Sequence, residues 1–189
     1  MIGFVDESIR AGANGIYVIA AAIIAPTDSE HIREDMQALL LGRQQRFHWR
    51  DESEVMRQRM LDHLTRLDLD AIISVQEPVE PTKLERARAL CLHRLLWELL
   101  DTDLEELVIE SRQDHNDRRD RRTIAHAQRS KTAPPRLAYR FAWPHDEPLL
   151  WIADALASAT GASLATNGTG YLERLQEPGG QIRIRVVRA

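Results

Sequence analysis

The chain has 189 residues, 43% of them hydrophobic, 29% charged and 5% aromatic, with a formal net charge of -4 at pH 7, so it is long enough for one substantial core and short for two. That composition excludes general disorder, and a pI near 6.0 excludes a uniformly basic nucleic-acid coat, which leaves phosphate binding to local clusters. A single cysteine, Cys91, excludes a disulfide framework and fits a reducing cytoplasm.

The first residues lack a basic leader, and the run IYVIAAAIIAP is too short to span a bilayer, so a cytoplasmic chain with no membrane segment is expected. Residues 2–7 and 16–24 read as two strands of a hairpin, joined by IRAGANG, where Gly12, Asn14 and Gly15 supply turn chemistry. TDSEHIREDMQALLLG follows as a short amphipathic helix closed by Gly42. RQQRFHWRDES is a loop, and SEVMRQRMLDHLTRL a second helix. AIISVQ, residues 71–76, reads as a third strand. TKLERARALCLHRLLWELL is the best-defined helix, with Leu84, Ala87, Cys91, Leu95 and Leu99 at helical spacing and a capping box from Thr82 to Glu85. LEELVIES gives a fourth strand, RLAYRFAW a fifth, and EPLLWIADALASATG a helix ended by Gly161. TNGTGYLERLQEPGG is rich in turn residues, and QIRIRVV alternates as a strand with one polar face. Strands alternating with long helices after an initial hairpin predict one α/β domain with a mixed sheet.

Three acidic residues lie in or at the end of apolar elements. Asp6 closes GFV, Glu110 closes LVI, and Asp154 interrupts LLWIADALA, where its helical neighbours are Leu150, Trp151, Ala157 and Ser158. A buried carboxylate needs a partner, either an arginine or a cation shared with other carboxylates. Strand ends of a mixed sheet meet in one crevice, so Asp6 and Glu110 are expected to meet, and an oxygen-rich cluster suits Mg²⁺ or Mn²⁺. Glu7, beside Asp6, is a further candidate ligand, although strand alternation sends it to the opposite sheet face.

The stretch after Glu110 is abruptly polar and carries Arg112, Arg118, Arg119, Arg121, Arg122, Arg129 and Lys131 against Asp114, Asp117 and Asp120. Two readings stand: a basic segment over the crevice, with Arg112, Arg118, Arg119 and Arg122 binding phosphate, or a solvated helix with internal Asp–Arg pairs. FHWRDE puts His48 in a loop, a candidate for proton transfer or a packed side chain. Trp97, Trp143 and Trp151 lie in apolar patterns and are expected in the core. Zinc spacing and nucleotide-binding loops are lacking, since TNGTG has neither the required lysine nor a following helix.

FVDES followed by a hairpin, the acidic strand end VIES and the late helix WIADALA together resemble the bacterial family called domain of unknown function 3800, from Met1 to about Gly161. The resemblance implies a ribonuclease-H-like fold, here a mixed five-stranded sheet flanked by helices, with a helical insertion at about residues 28–67 and a turn-rich extension at about 162–189. It also implies that Asp6, Glu110 and Asp154 hold two divalent ions for phosphodiester hydrolysis in nucleic acid, with Arg112 and His48 assisting. Two rivals differ in kind: a non-catalytic interaction module, in which Asp6 and Asp154 pair with arginines and no metal binds, and a phosphatase acting on small phosphate esters. Protein partners and a homodimer are left open.

Overall fold

The structure is a computed structural model that describes residues 1–11, 15–42, 44–165, 169–178 and 180–189. The β-branched and alanine-rich N-terminal third forms two long strands, β1 (Ile2–Arg10) and β2 (Gly15–Ile24), paired antiparallel with Ile2 opposite Ile24 and Arg10 opposite Ile16. Gly12 and Asn14 of the expected turn lie outside the described residues. β2 is buried along its whole length because the sheet is covered on both faces. Val18, Ala20 and Ala22 pack on one side, and Tyr17, Ile19, Ala21 and Ile23 on the other.

β3 (Asp70–Val79) continues the antiparallel run on β2, so the three strands are adjacent in space although two helices separate β2 from β3 along the chain. On the other side, β4 (Glu106–Glu110) lies parallel to β1, and β5 (Ala138–Ala142) parallel to β4. The sheet has six strands rather than the expected five. β6 (Arg183–Arg188), the alternating QIRIRVV segment, pairs parallel with β3 and completes the order β5-β4-β1-β2-β3-β6. Arg183 bonds Asp70 at 2.6 Å and Asp68 at 2.7 Å, which fixes this edge through charge on the solvent side.

Helices α1 (Ser29–Ala38), α2 (Glu54–Leu64), α5 (Leu150–Leu164) and α6 (Tyr171–Leu175) cover one face. Helices α3 (Leu84–Glu98) and α4 (Asp114–Arg129) cover the other. α5 is buried continuously from Leu150 to Ala162, as its all-round apolar sequence demands. It runs through Gly161 to Leu164 instead of ending there, with Gly161 packed against Arg10 and Val18 of the sheet. The polar segment after Glu110 is a helix, α4, with Ile124 and Ala127 buried beneath it, so the solvated-helix reading holds for its backbone.

Glu85 makes no capping box. α3 begins at Leu84 without a side-chain cap, and the Glu85 carboxylate is drawn instead to Arg112 and Arg119. Of the tryptophans expected in the core, Trp151 is buried, but Trp97 and Trp143 are exposed by 49% and 48%. Cys91 is buried under β2, where loss of solvent pushes its thiol up to about 12. Among the described residues, no helix is long and apolar enough to cross a membrane.

Candidate metal centre

Strand register assembles the first half of the site. Val5 of β1 pairs with Ile109 of β4, and both side chains face α3, so the next residues, Asp6 and Glu110, stand side by side facing α5. α5 passes over that face and brings Asp154. The three carboxylates line a cavity of about 230 Å³ together with Ser8, His48, Arg50 and Ser158.

Two of the three carboxylates are held by hydrogen bonds from the chain. Asp154 Oδ2 accepts a 2.8 Å hydrogen bond from the backbone N–H of Trp49, in the single 3₁₀ turn Trp49–Asp51, and Asp154 Oδ1 accepts from Ser158 Oγ at 3.1 Å. The second bond is an i,i+4 contact that the spacing of Asp154 and Ser158 on one helix face makes possible. Trp49 is itself fixed in the core, its ring edge-on to Tyr171 at 5.2 Å and to Phe47 at 6.5 Å. Asp6 Oδ1 accepts the N–H of Glu7 at 2.6 Å.

The electrostatics of the cluster are those of a desolvated set of like charges. Burial first, and then the neighbouring Glu110, hold Asp6 well above its ordinary carboxylate range. Burial also raises Glu110 and Asp154, against the lowering effect of the Asp6 bond on the former and of the Trp49 N–H on the latter. Asp6 and Glu110 are within hydrogen-bonding reach, so the pair can share a proton. None of the three forms an ion pair among the described residues. Arg88, the buried arginine behind the sheet, is committed elsewhere: it binds Asp120 at 2.8 Å and also Glu7.

The other sequence candidates separate into two groups. His48 lies at the rim, half-exposed, with Nδ1 3.2 Å from Asp51 Oδ2. Arg112 lines the same cavity, but its guanidinium is bound to Glu85 at 2.8 Å and Asp120 at 3.3 Å, so it is an internal tie rather than a free phosphate fork. Glu7 shows the alternation: its carboxylate is paired with Arg88 behind the sheet, while its N–H serves Asp6 in front. Arg119 pairs with Glu85 at 3.4 Å, and Arg118 and Arg122 project from α4 into solvent; none of these three lines the cavity.

Sequence reasoning missed Ser8, Ser158, Arg10 and Arg88 as parts of this region. Arg88 was within reach, because a charge one turn from Leu84 and next to Ala87 sits on the buried stripe of α3 just as Asp154 does on α5.

Among the described residues, no three His, Cys, Asp or Glu side chains stand in a ready-made ion cage. The donor set nevertheless fits a hard divalent cation: it is all oxygen, with Asp6 and Asp154 buried and Glu110 partly buried, anionic when deprotonated, and in no ion pair among the described residues.

No protein-family model matches the chain, and no curated protein matches it. Among solved structures, it is similar to a chain in the complex of PCNA with RNase HII from Archaeoglobus fulgidus, at a TM-score of 0.50 and 17% identity, over 84% of this chain and 70% of that one. At that identity the likeness shows the fold, which is of the ribonuclease-H type.

Proposed function

We propose that this chain is a divalent-metal-dependent nuclease that hydrolyses phosphodiester bonds in nucleic acid at the Asp6–Glu110–Asp154 cleft, and that it is a member of the domain of unknown function 3800 family. The observation that carries the reading is the gathering of three carboxyls from three separate elements into one cavity, Asp6 and Asp154 buried and Glu110 partly buried, with none of them in an ion pair among the described residues and Arg88 bound on the other side of the sheet. A non-catalytic module would pair Asp6 and Asp154 with arginine, because a buried carboxylate without a partner destabilises the fold. Retaining the unfavourable cluster is consistent with a site that is completed by a cation.

Asp6, Glu110 and Asp154 would hold Mg²⁺ or Mn²⁺, which when bound activates water and stabilises charge on phosphate oxygens. The chain's own residues do the rest. Trp49 N–H and Ser158 Oγ fix the plane of the Asp154 carboxylate, and Glu7 N–H fixes Asp6, so the donors keep their aim when the shared proton leaves. His48, with Nδ1 turned to Asp51, has Nε2 for exchanging a proton at the rim with substrate or water.

The test is calorimetric titration of Mn²⁺ into the wild-type chain and into Asp154→Asn, followed by cleavage assays on single- and double-stranded DNA and RNA. Asn keeps an oxygen for the Trp49 N–H, so the variant is expected to fold. Metal binding and metal-dependent cleavage present in the wild type and lost together in the variant are expected. A folded wild-type chain that binds no metal sinks the reading.

A further inference from the structure

β1 carries a third polar residue on the cleft face. Two residues beyond Ser8, Arg10 follows the alternation toward α5, and its Nη2 donates to the Ser158 carbonyl at 3.4 Å. Its Nε is buried without a partner, and its stem crosses α5 at Gly161, where an added Cβ would lie 3.4 Å from Arg10 Cγ. Ser158 is also a wall of the acidic cavity, so Arg10 is bound to a residue that borders the carboxylates.

Two more guanidinium groups come to the same rim from the 3₁₀ turn and α2. Arg50 is exposed and lines the cavity with Asp154 and Ser158. Arg57 donates from Nε to the Trp49 carbonyl at 3.0 Å and from Nη2 to the Arg50 carbonyl at 3.2 Å, so it braces the turn that presents Arg50. Among the described residues Arg10 and Arg50 have no carboxylate within ion-pair distance, and Arg57 has only Glu54, at 3.9 Å. Burial, and then the repulsion of Arg50 and Arg57, lower the pKa of Arg10. In contrast, Arg112 and Arg119 near α4 are bound to acidic neighbours.

We propose that Arg10 and Arg50, with Arg57 bracing the turn, form a phosphate subsite at the rim of the acidic cleft and take a phosphate of the substrate strand next to the one that is cut. Three guanidinium groups, of which only Arg57 has a carboxylate within ion-pair distance among the described residues, are stabilised by an anion, and arginine presents a fork that matches phosphate oxygens. The strand therefore enters over the Trp49–Asp51 turn rather than across α4. The identity of the ligand as a nucleic-acid phosphate rests on the nuclease reading above; the anion subsite itself does not.

The test is binding without cleavage. Fluorescence anisotropy of labelled single-stranded and duplex DNA and RNA is measured with the full chain in excess EDTA, and inorganic phosphate is titrated separately by calorimetry. Arg10→Gln and Arg50→Gln are each expected to weaken oligonucleotide binding about three- to tenfold and to reduce the slope of log K against log salt by about 1. The double variant is expected to lose inorganic phosphate as well, while Arg118→Gln/Arg122→Gln stays close to wild type. Loss confined to the α4 variant, or a wild-type chain that binds neither probe, overturns the subsite. Phosphate binding that depends on Arg10 and Arg50, with no oligonucleotide binding, upholds the subsite and removes the nucleic-acid reading. Oligonucleotide binding that depends on Arg10 and Arg50 upholds it even where no cleavage follows on adding Mn²⁺.

Discussion

Asp6, Glu110 and Asp154 are each raised above their ordinary carboxylate range, so between that range and their folded values the native chain carries more protons than the unfolded one. The slope of stability with pH is proportional to the protons bound in the unfolded state minus those in the native state, which is negative here. The stabilising protonation is thus complete below the ordinary carboxylate range and is lost as pH rises through the raised values. For the metal-free chain, the melting temperature is expected to fall as pH rises from the ordinary carboxylate range through the raised values, and Asp6→Asn is expected to flatten that fall. Millimolar Mg²⁺ or Mn²⁺ is expected to recover the loss at the alkaline end, because a ligand bound only by the native state stabilises it. Differential scanning calorimetry across this range checks all three, and a wild-type melting temperature that rises with pH would contradict the assignment. Arg88 has the opposite character. It is 1% exposed and neutralises Asp120 and Glu7, so Arg88→Met leaves buried Asp120 with only the longer Arg112 contact and Glu7 without its close partner, and is expected to cost about 3–5 kcal/mol in urea denaturation.

At the scale of elements, α5 is the part of the site most legible in the sequence. LLWIADALASATG has one charge in a run that is apolar all round, and a charge so placed must be enclosed with a purpose. The same argument marks Arg88, which the exposed Arg86 two residues before it hides in the sequence. α4 was legible as a helix by its Asp–Arg spacing, but the partners of its arginines were not, because Glu85 comes from α3 and only tertiary packing brings it there. The Trp49 N–H bond to Asp154 was invisible for the same reason: a backbone donor leaves no trace in residue type, and the two groups are 105 residues apart. Since α5 is packed on the sheet and on α2 and α6, Leu156→Ala is expected to cost about 2–5 kcal/mol. The comparison that isolates the site is metal affinity, measured where the variant is still folded. It is expected to drop as α5 loosens, whereas an unchanged affinity would mean that Asp154 is positioned by the Trp49 turn alone.

For the whole molecule, the order of elements was readable while their neighbours at the sheet edge were not. QIRIRVV announces a strand with one polar face, but nothing in its alternation says that it joins β3 and makes a sixth strand. β6 covers an edge that carries Ile72, Ile73 and Val75. Truncation after residue 176 is therefore expected to expose a hydrophobic strand edge and to produce self-association, seen as a rise in mass by light scattering. A monodisperse truncated chain would mean that β6 is dispensable for protecting this edge.

The two faces of β1 also set a penalty on misfolding. Asp6, Ser8 and Arg10 point to α5, and Glu7 points to Arg88. A slip of one residue during strand pairing would bring Asp6 against Arg88 and Asp120, thrust Glu7 toward Asp154, and expel Phe4 and Val5 from the cores they fill on opposite sides. Charge and shape thus reject the same error together, and the strand that carries the first carboxylate of the site also serves as the folding chain's ruler.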